Sequence, residues 1–448
     1  MGIKKMIRAA AAVMLSAVMA CTLAVGASAA SAGTYYSQAA DKGTKSTNVT
    51  TNGYTGVSDG WSWSDSYHAF TVNSNLFEYN GYLYRLEYTG KKLLLEKYSS
   101  SFKYVGRAEI KMELPIFGGF FAGEKYNFIV FGQQNLKDSD QTEVVRVVKY
   151  TKGMKKISGK SFYGCNTYIP FDAGSLRMDE ENGVLYIHTC HEMYKTSDGL
   201  HHQSNMDFFL RESDMSTLFS RYDIFNISTG YMSHSFNQFI KVRNGNIFTV
   251  DHGDAYERAI TACLRSSYKS SYVNYENIFN IKGSIGQNYT GVVVGGMELS
   301  DKKILVSAAS VPQDNTFGSS DQKNVMLISC PYVQGCGETK TTWLTSYKNG
   351  AGVDISEPKL TKINDNSFML MWTETKSKTT KLYVTMIDGN GDKKGKTHVF
   401  KDAYLSDCQP IVYNGQVVWY VTKNSKPTFY FLNADGDFAA QKAAYKKK

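Results

Sequence analysis

The sequence contains little proline and little charge. Only 7 of its 448 residues are proline and charged residues make up 20% of the chain, while 42% of the residues are hydrophobic. Disordered proteins contain fewer apolar residues, coiled coils are biased toward Ala, Glu, Lys and Leu, and collagen has glycine at every third position. After the N-terminal 30 residues, no stretch approaches the roughly 18 apolar residues of a membrane-spanning helix. The composition excludes these classes and predicts a folded protein that does not span a membrane.

Residues 1–30 have the three parts of a secretory signal peptide. Basic residues open the segment, an apolar stretch runs from Ala9 to Val25, and Ala27-Ser28-Ala29 supplies the small-residue cleavage motif. A membrane anchor is the alternative, but Ser and Thr interrupt the apolar stretch and no stop-transfer sequence follows it. We therefore expect cleavage near Ala29 or Ala30 and a secreted or cell-surface protein.

The positive charge is concentrated at the two ends of the chain. The formal net charge is +9, of which three positive charges lie in the signal peptide and four belong to lysines in a tail, residues 441–448. A nucleic-acid-binding domain carries a basic face on its folded body. We therefore predict no nucleic-acid partner. The mature chain is divided into a linker (31–54), one folded domain (55–440) and the basic tail.

Cysteine does not define the fold. One of the seven cysteines, Cys21, lies in the signal peptide, and six remain. An even number in a secreted chain permits disulfides, but six cysteines allow 15 connectivities. Cys330 and Cys336 flank a short turn-like loop, so a bridge between them is the best single prediction. No pair has the short spacing of a structural zinc site.

One strand–turn–strand unit recurs along the chain. Each unit has a tight turn, mostly Asn-Gly, between two apolar strands, and successive turns are about 56 residues apart. Asn-Gly between apolar strands indicates a hairpin, because both turn residues accept positive φ. The turns lie at Asn80, Gly123, Asn182, Asn244, Asp301, Asp365 and Asn414, of which Gly123 fits most loosely.

Seven such units indicate a β-propeller. The last two units also match outside the turn, because Trp372 and Trp419 both lie in the second strand. The chain resembles the β-propeller superfamily over residues 55–440, which predicts an all-β domain of seven blades with four antiparallel strands each. Six or eight blades, a pair of β-sandwiches and a β-helix are the alternatives. The last unit shows three strands, so we expect the segment after Trp61-Ser62-Trp63 to complete it and close the ring. No specific propeller family is matched.

Six of the eight histidines fall within 65 residues. In a four-stranded blade, the turns between the first two strands lie on one rim, and the loops between the second and third strands and between blades lie on the opposite rim. The long loops mark this second rim, here called the long-loop face. We expect most histidines to gather there over neighbouring blades, with His201 and His202 exposed. The six are His188, His191, His201, His202, His234 and His252.

A metal site is one interpretation of these histidines. Imidazoles and carboxylates bind zinc or manganese, and an open coordination position would bind a substrate. The arrangement resembles some propeller polysaccharide lyases in architecture and residue type, which implies a metal-assisted lyase or hydrolase acting on an acidic glycan. Arg258 would then clamp a substrate carboxylate, and Lys195 or Tyr256 would act as the base. The metal ligands would be His188, His191, His234 and His252.

Ligand binding without catalysis is the leading hypothesis. We expect the long-loop face to bind an extracellular ligand, such as a glycan or a cell-wall component. A structural role is the alternative for each histidine, with Asp251 or Asp254 as a partner of His234. Three imidazole nitrogens around one point would favour the enzyme, and separate pairing would favour the binding protein. The predicted ligand-binding face contains His191, Glu192, His234, Asn237, Asp251, His252 and Asp254.

Overall fold

The strands form seven antiparallel sheets arranged in a ring. In six sheets the strands follow one another in chain order, and the seventh adds an N-terminal strand at its outer edge. The inner edges of all seven sheets surround one channel. The chain is a seven-bladed β-propeller, as the repeat predicts, and each blade has at least four strands. The computed structural model describes residues 33–44, 72–172, 174–223, 227–234, 236–287, 289–314, 321–332, 338–423 and 426–447.

Blades are numbered along the chain, and strands are numbered β1 to β30. Blade 1 contains β2 (Ser74–Tyr79), β3 (Tyr82–Tyr88), β4 (Leu93–Tyr98) and β5 (Tyr104–Ile110). Blade 2 contains β6 (Ile116–Ala122), β7 (Tyr126–Gly132), β8 (Glu143–Thr151) and β9 (Lys156–Tyr163). Blade 3 contains β10 (Thr167–Pro170), β11 (Arg177–Glu181), β12 (Val184–Lys195), β13 (His201–Arg211) and β14 (Thr217–Arg221), followed by a 3₁₀ turn (Ile227–Thr229).

The remaining blades follow the same order. Blade 4 contains β15 (Gln238–Arg243), β16 (Asn246–His252), β17 (Ala259–Arg265) and β18 (Asn274–Asn280). Blade 5 contains β19 (Val292–Leu299), β20 (Lys303–Ser310), β21 (Asn324–Pro331) and β22 (Lys340–Trp343). Blade 6 contains β23 (Asp354–Ile355), β24 (Lys359–Asn364), β25 (Ser367–Lys376), β26 (Thr379–Ile387) and β27 (Lys393–Lys401). Blade 7 contains β28 (Ile411–Tyr413), β29 (Gln416–Lys423), β30 (Lys426–Asn433) and β1 (Ser37–Ala39).

The Asn-Gly turns adopt the backbone conformation that their sequence predicts. Asn80 and Gly81 have φ angles of 52° and 75°, both in the left-handed region. The pairs Asn182-Gly183, Asn244-Gly245 and Asn414-Gly415 repeat this conformation. A type I′ turn needs positive φ at both central residues, which explains why these four hairpins carry Asn-Gly.

Blades 3 and 6 have a fifth strand that continues their inner edge at the long-loop face. In blade 3, β10 pairs with the C-terminal half of β12, which lies at the long-loop face, and β11 pairs with the N-terminal half. In blade 6, β23 and β24 divide β25 in the same way. We call residues 167–170 with 190–204 the blade 3 extension, and residues 354–355 with 374–380 the blade 6 extension. Each extension carries an acidic side chain, Glu192 in blade 3 and Glu374 in blade 6.

The N-terminal segment closes the ring. β1 pairs antiparallel with β30 and becomes the outermost strand of blade 7. The closing strand is therefore Ser37–Ala39, inside the predicted linker, rather than the segment after Trp63. Trp61 and Trp63 lie outside the described residues. Closure between the two ends of the chain is nevertheless the arrangement that the three-stranded last repeat predicts.

A C-terminal helix, α1 (Phe438–Lys446), holds the closing strand. The buried Gln441 amide donates to the carbonyl of Tyr35 at 2.6 Å and to that of Phe431 at 3.0 Å, and its oxygen accepts from the N–H of Asn433 at 2.7 Å. The predicted basic tail is therefore helical over most of its length. In the described ranges, no helix has the length and apolar character needed to cross a membrane.

Apolar strands pack the blades against one another around the channel. Buried side chains form clusters between neighbouring sheets, and the channel encloses a cavity of about 180 Å³. Glycine permits close approach of two inner strands, because a Cβ on Gly295 would lie 2.0 Å from the carbonyl oxygen of Pro358 in the next blade. A larger residue at position 295 would force blades 5 and 6 apart.

The cysteines contribute to this core as buried thiols. Cys165, Cys190, Cys263 and Cys408 form no disulfide within the described part of the chain. Burial raises the pKa of the Cys165 thiol to about 12, so it stays protonated. Cys336 lies outside the described residues, and its bridge to Cys330 stays a prediction.

Candidate functional site

His188 ties blade 3 to blade 4 inside the ring. It lies on β12 and is 1% exposed. Its Nδ1 is 2.7 Å from Oδ1 of Asp207 on β13, and its Nε2 is 3.1 Å from Oδ1 of Asp251 on β16. Burial opposes the charged imidazole, but Asp251 and Asp207 outweigh it and raise the pKa of His188 to about 10. His188 is therefore a buried imidazolium with a structural role.

His191 and His252 are buried and neutral. In His191, Nδ1 lies 2.7 Å from the hydroxyl of Thr167 and Nε2 lies 3.2 Å from that of Ser204. In His252, Nε2 lies 2.9 Å from the hydroxyl of Thr290. Burial lowers the pKa of both imidazoles to about 3. Both side chains therefore remain uncharged hydrogen-bonding groups within the blades.

The four histidines predicted as metal ligands do not converge on one point. His188, His191 and His252 bond separate partners within or between blades, and His234 bonds a carboxylate at the long-loop face. Over the described residues, no group of three or more His, Cys, Asp or Glu side chains could hold a metal ion. These donors do not fit the predicted zinc or manganese site, and no chemical step is assigned to a metal.

His234 and Asp254 form a pair on the long-loop face, where blade 3 meets blade 4. Nδ1 of His234 lies 2.8 Å from Oδ1 of Asp254. The imidazole is 17% exposed, whereas the carboxylate is fully buried. His234 has a φ angle of 49°, an uncommon conformation for a residue with a side chain. Of the two partners considered for His234 in the sequence, the structure shows Asp254.

The loop that carries His234 is fixed on both sides. The side chain of Asn205, on β13, accepts from the N–H of Met232 at 3.0 Å. On the blade 4 side, the N–H of Ser233 donates to the carbonyl of Tyr256 at 3.0 Å. Because both neighbouring blades hold the loop, the imidazole is positioned before any ligand arrives.

Glu192 lies beside this pair. Glu192 and His188 are four residues apart on one regular stretch of β12, so both side chains point toward blade 4. Burial raises the pKa of Glu192 and Asp172 raises it further, while His201 and His234 lower it. The carboxylate therefore interacts electrostatically with two imidazoles on the same face.

An aromatic pair completes the group. The rings of Tyr168 and His201 stack with centroids 3.8 Å apart and an interplanar angle of 19°. Nδ1 of His201 lies 2.7 Å from the carbonyl oxygen of Met193, which fixes the orientation of the ring. Both rings are partly exposed on the blade 3 extension. We define the His234 cluster as Tyr168, Glu192, His201, His234 and Asp254.

Arg258, predicted from the sequence as a clamp, bonds main-chain groups of its own blade. Its guanidinium donates to four main-chain carbonyls, those of residues 254, 282, 287 and 289, at 2.6–3.1 Å. These bonds engage all three guanidinium nitrogens within the loops of blade 4. Of the two predicted bases, Lys195 lies at the exposed end of β12, and Tyr256 is 57% exposed on the loop after β16.

Asn237 belongs to a polar network around the channel. Its Nδ2 donates to the carbonyl of Val294 at 2.7 Å and to Oε1 of Glu357 at 3.1 Å. Its Oδ1 accepts from the hydroxyl of Ser175 at 2.9 Å. Asn237 therefore connects the inner edges of blades 3 to 6.

The structure divides the predicted ligand-binding face into two groups. It brings Glu192, His234 and Asp254 together on the long-loop face. The other members are buried in structural contacts, and they are His191, Asn237, Asp251 and His252.

Tyr168 was not predicted, and His201 was predicted only to be exposed. Tyr168 lies on β10, a fifth strand outside the four-stranded repeat, so the repeat provides no signal for it. His201 pairs with Lys195 across the long β12–β13 hairpin, and the unusual length of that loop is the one signal in the sequence. His202 is 44% exposed and lies 2.8 Å from Asp198, as expected for a polar loop.

Comparisons with known proteins identify similar folds. No family model and no curated protein matches the chain. Polysaccharide lyase Uly1 is 9% identical with a TM-score of 0.45, over 82% of this chain and 90% of the lyase. An uncharacterised protein of Listeria monocytogenes is 7% identical with a TM-score of 0.41, over 83% and 95% of the two chains. A Penicillium chrysogenum alpha-L-arabinanase is 10% identical with a TM-score of 0.32, over 58% and 93%. These likenesses carry no argument about activity.

Proposed function

We propose that this protein is a secreted or cell-surface propeller that binds a glycan through the His234 cluster. The observation that carries the proposal is the stacked pair of Tyr168 and His201, which lies on the same face as the Glu192 carboxylate and the fixed imidazole of His234. The signal-peptide pattern of residues 1–30 supports an extracellular location.

The cluster matches the chemistry of a sugar. A pyranose has apolar faces, which pack on aromatic rings such as Tyr168, and hydroxyl groups around its edge. An ionised Glu192 accepts hydrogen bonds from hydroxyls, and an imidazole can donate or accept. Ligand sites commonly combine an apolar surface with a few positioned polar groups. Since Glu192 and Asp254 are both acidic, a neutral glycan meets less repulsion here than a strongly acidic one.

A polysaccharide array tests the proposal. The purified protein is applied to arabinoxylan, glucomannan, chitin, peptidoglycan and polygalacturonate, together with the variant Tyr168→Ala. A matched control is Tyr272→Ala, since Tyr272 is 70% exposed in the outer part of blade 4. We expect retention on at least one neutral polymer, a loss of about tenfold or more in Tyr168→Ala, and no loss in the control. The absence of retention on every polymer would refute glycan binding.

Catalysis at the same cluster is the second candidate function. Asp254 holds His234 through Nδ1, and burial raises the pKa of the nearby Glu192. An imidazole that a carboxylate holds through Nδ1 can act as a base and a nearby carboxyl group as an acid, which would give His234 and Glu192 these roles in cleaving an acidic polysaccharide. If the cluster is catalytic, the wild type should release new reducing ends or unsaturated products from polygalacturonate. The variant His234→Ala should release neither. Binding of the polymer without product would favour the binding protein.

A further inference from the structure

Blade 6 contains a second group of aromatic and acidic side chains, which lies beside the start of its extension. The rings of Trp372 and Tyr383 stack across β25 and β26 with centroids 5.4 Å apart and an interplanar angle of 13°. Glu374, two residues after Trp372, is 6% exposed. Its carboxylate accepts from Nε1 of Trp372 at 2.9 Å and from the hydroxyl of Tyr347 at 2.6 Å. A carboxyl group is thus buried against aromatic rings, an environment in which its oxygens need hydrogen-bond donors.

These residues line an open groove between the loop after β22 and the outer strands of blade 6. Tyr347 and Tyr383 are half-buried, and Val399 at the edge of the groove is 48% exposed. Burial and the bond to Glu374 raise the pKa of Tyr383 to about 12, so its hydroxyl stays protonated and keeps donating. The groove therefore has fixed aromatic rings and one carboxylate.

Blade 7 contains the same aromatic pair in a closed form. Trp419 and Tyr430 stack at 5.5 Å with an interplanar angle of 14°, at the positions that correspond to Trp372 and Tyr383. There the indole Nε1 donates to the carbonyl of Tyr404, at 2.9 Å, in the connection from blade 6. Tyr430 is 1% exposed, and Val421, which is fully buried, occupies the position of Glu374. Blade 7 therefore shows that a stacked Trp–Tyr pair can pack between blades without a carboxylate or an open groove beside it.

The groove and the His234 cluster both lie on the long-loop face, on either side of blades 4 and 5. Glu192 lies on the side of β12 that faces blade 4, because it shares that side with His188. Glu374 lies on the side of β25 that faces blade 5, because it shares that side with Trp372 and bonds Tyr347 in the connection from blade 5. Both groups therefore lie on the half of the ring that contains blades 4 and 5, one at each end of it.

We propose that the blade 6 groove is a second sugar-binding site that takes a distant part of the same polysaccharide chain. The ring of Tyr383 supplies the stacking surface, and the remaining lone pair of Glu374 accepts a sugar hydroxyl. One chain then spans the long-loop face from the blade 3 extension to the blade 6 extension. This inference rests on the proposed glycan binding and adds that the ligand is a polymer bound at two sites.

Affinity as a function of chain length tests the inference. The probes are the polysaccharide retained on the array and its trisaccharide, which is short enough to occupy one site. The variants are Tyr383→Ala and Val399→Arg, the second of which fills the groove from its exposed edge and leaves the Trp372 stack in place. The reference variant is His234→Ala, and thermal unfolding checks that each variant is folded.

When one part of the polymer is bound, the rest of the chain is held at a high effective concentration near the second site. The wild type should therefore bind the polymer at least about tenfold more tightly than the trisaccharide. Both groove variants should lower polymer affinity to about that of the trisaccharide, whereas His234→Ala should weaken both probes. If both folded groove variants bind the polymer as the wild type does and His234→Ala does not, the second site is refuted and the first stands. If the wild type retains no polysaccharide, both proposals fail.

Discussion

Nδ1 of His234 lies 2.8 Å from Oδ1 of Asp254, whose side chain is fully buried. The other carboxylate oxygen, Oδ2, is also buried and has no hydrogen-bond partner in the described part of the chain. Burying a carboxylate costs free energy unless its interactions compensate for it. The pairing with His234 therefore compensates for part of this cost, and it connects the loops of blade 4 to the partly exposed imidazole.

Loss of the Asp254 carboxylate should release His234 from its fixed orientation. We expect Asp254→Ala to weaken glycan affinity about tenfold, which corresponds to about 1.4 kcal/mol. Asp254→Asn keeps an oxygen that can accept from Nδ1 and should restore part of the affinity, which distinguishes positioning from general loss of structure. Asp198→Ala, which removes the exposed partner of His202, is the control and should bind normally. Titration calorimetry measures all four proteins, and equal affinity in Asp254→Ala would contradict the role of the pair.

The affinity for the glycan should depend on pH through the protonation of Glu192. Burial and Asp172 raise the pKa of Glu192, so this carboxylate takes up its proton at a higher pH than an exposed glutamate. Because the ionised form accepts sugar hydroxyls, we expect affinity to fall as the pH is lowered through this raised pKa. This fall in affinity should be missing in Glu192→Gln, because the glutamine side chain carries no charge at any pH. The same pH dependence of affinity in the wild type and in Glu192→Gln would show that Glu192 does not contribute to binding.

Removal of His188 should destabilise the ring. His188→Ala leaves Asp207 and Asp251 without the imidazolium between them, and breaking a buried pair in this way costs about 3–5 kcal/mol. The control is His202→Ala, whose side chain is 44% exposed and which should change the free energy of unfolding by less than about 0.5 kcal/mol. Urea unfolding near neutral pH measures both variants.

The contribution of His188 should also depend on pH in one direction. Its folded pKa of about 10 lies above the unfolded value of about 6.5, so the folded state binds the extra proton. The stabilisation is therefore complete below about pH 6.5 and is lost as the pH rises through about 10. The difference in unfolding free energy between wild type and His188→Ala should shrink over that range. A difference that stays constant would show that His188 is not charged in the fold.

Ring closure should depend on Gln441. This side chain makes three hydrogen bonds that join α1, β30 and the segment before β1. Gln441→Ala leaves buried backbone groups without partners, and we expect a loss of about 1–3 kcal/mol in unfolding free energy. Lys446→Ala, at an exposed position of the same helix, is the control. Equal stability of the two variants would show that the helix does not secure the closing strand.

The architecture could be predicted because each blade repeats a local signal. The dipeptide Asn-Gly predicts a type I′ turn from its own two residues, with little influence from the rest of the chain. Four such turns have the expected positive φ angles. The closing strand could not be located from the sequence, because β1 has only three residues, Ser37–Ala39, which carry no apolar alternation of their own. Its position depends on pairing with β30 and on contacts of α1 at the opposite end of the chain.

The site was only partly predictable, because spacing in the sequence does not show which side of a strand meets which neighbour. His188 and Glu192 lie on the same side of β12, yet one is buried between blades and the other reaches the long-loop face. The histidine-rich stretch of the sequence forms parts of blades 3 and 4. The partners that make His188 and His191 structural, such as Asp207 and Thr167, lie on other strands and become apparent only in the folded ring.

Glycan binding by the His234 cluster is the central claim, and calorimetric titration of the array-selected polysaccharide tests it most directly. We predict saturable binding to the wild type and at least about tenfold weaker binding to both Tyr168→Ala and His234→Ala, with unfolding temperatures close to that of the wild type. Wild-type affinity in both variants, or no binding of any polysaccharide by the wild type, would contradict the claim.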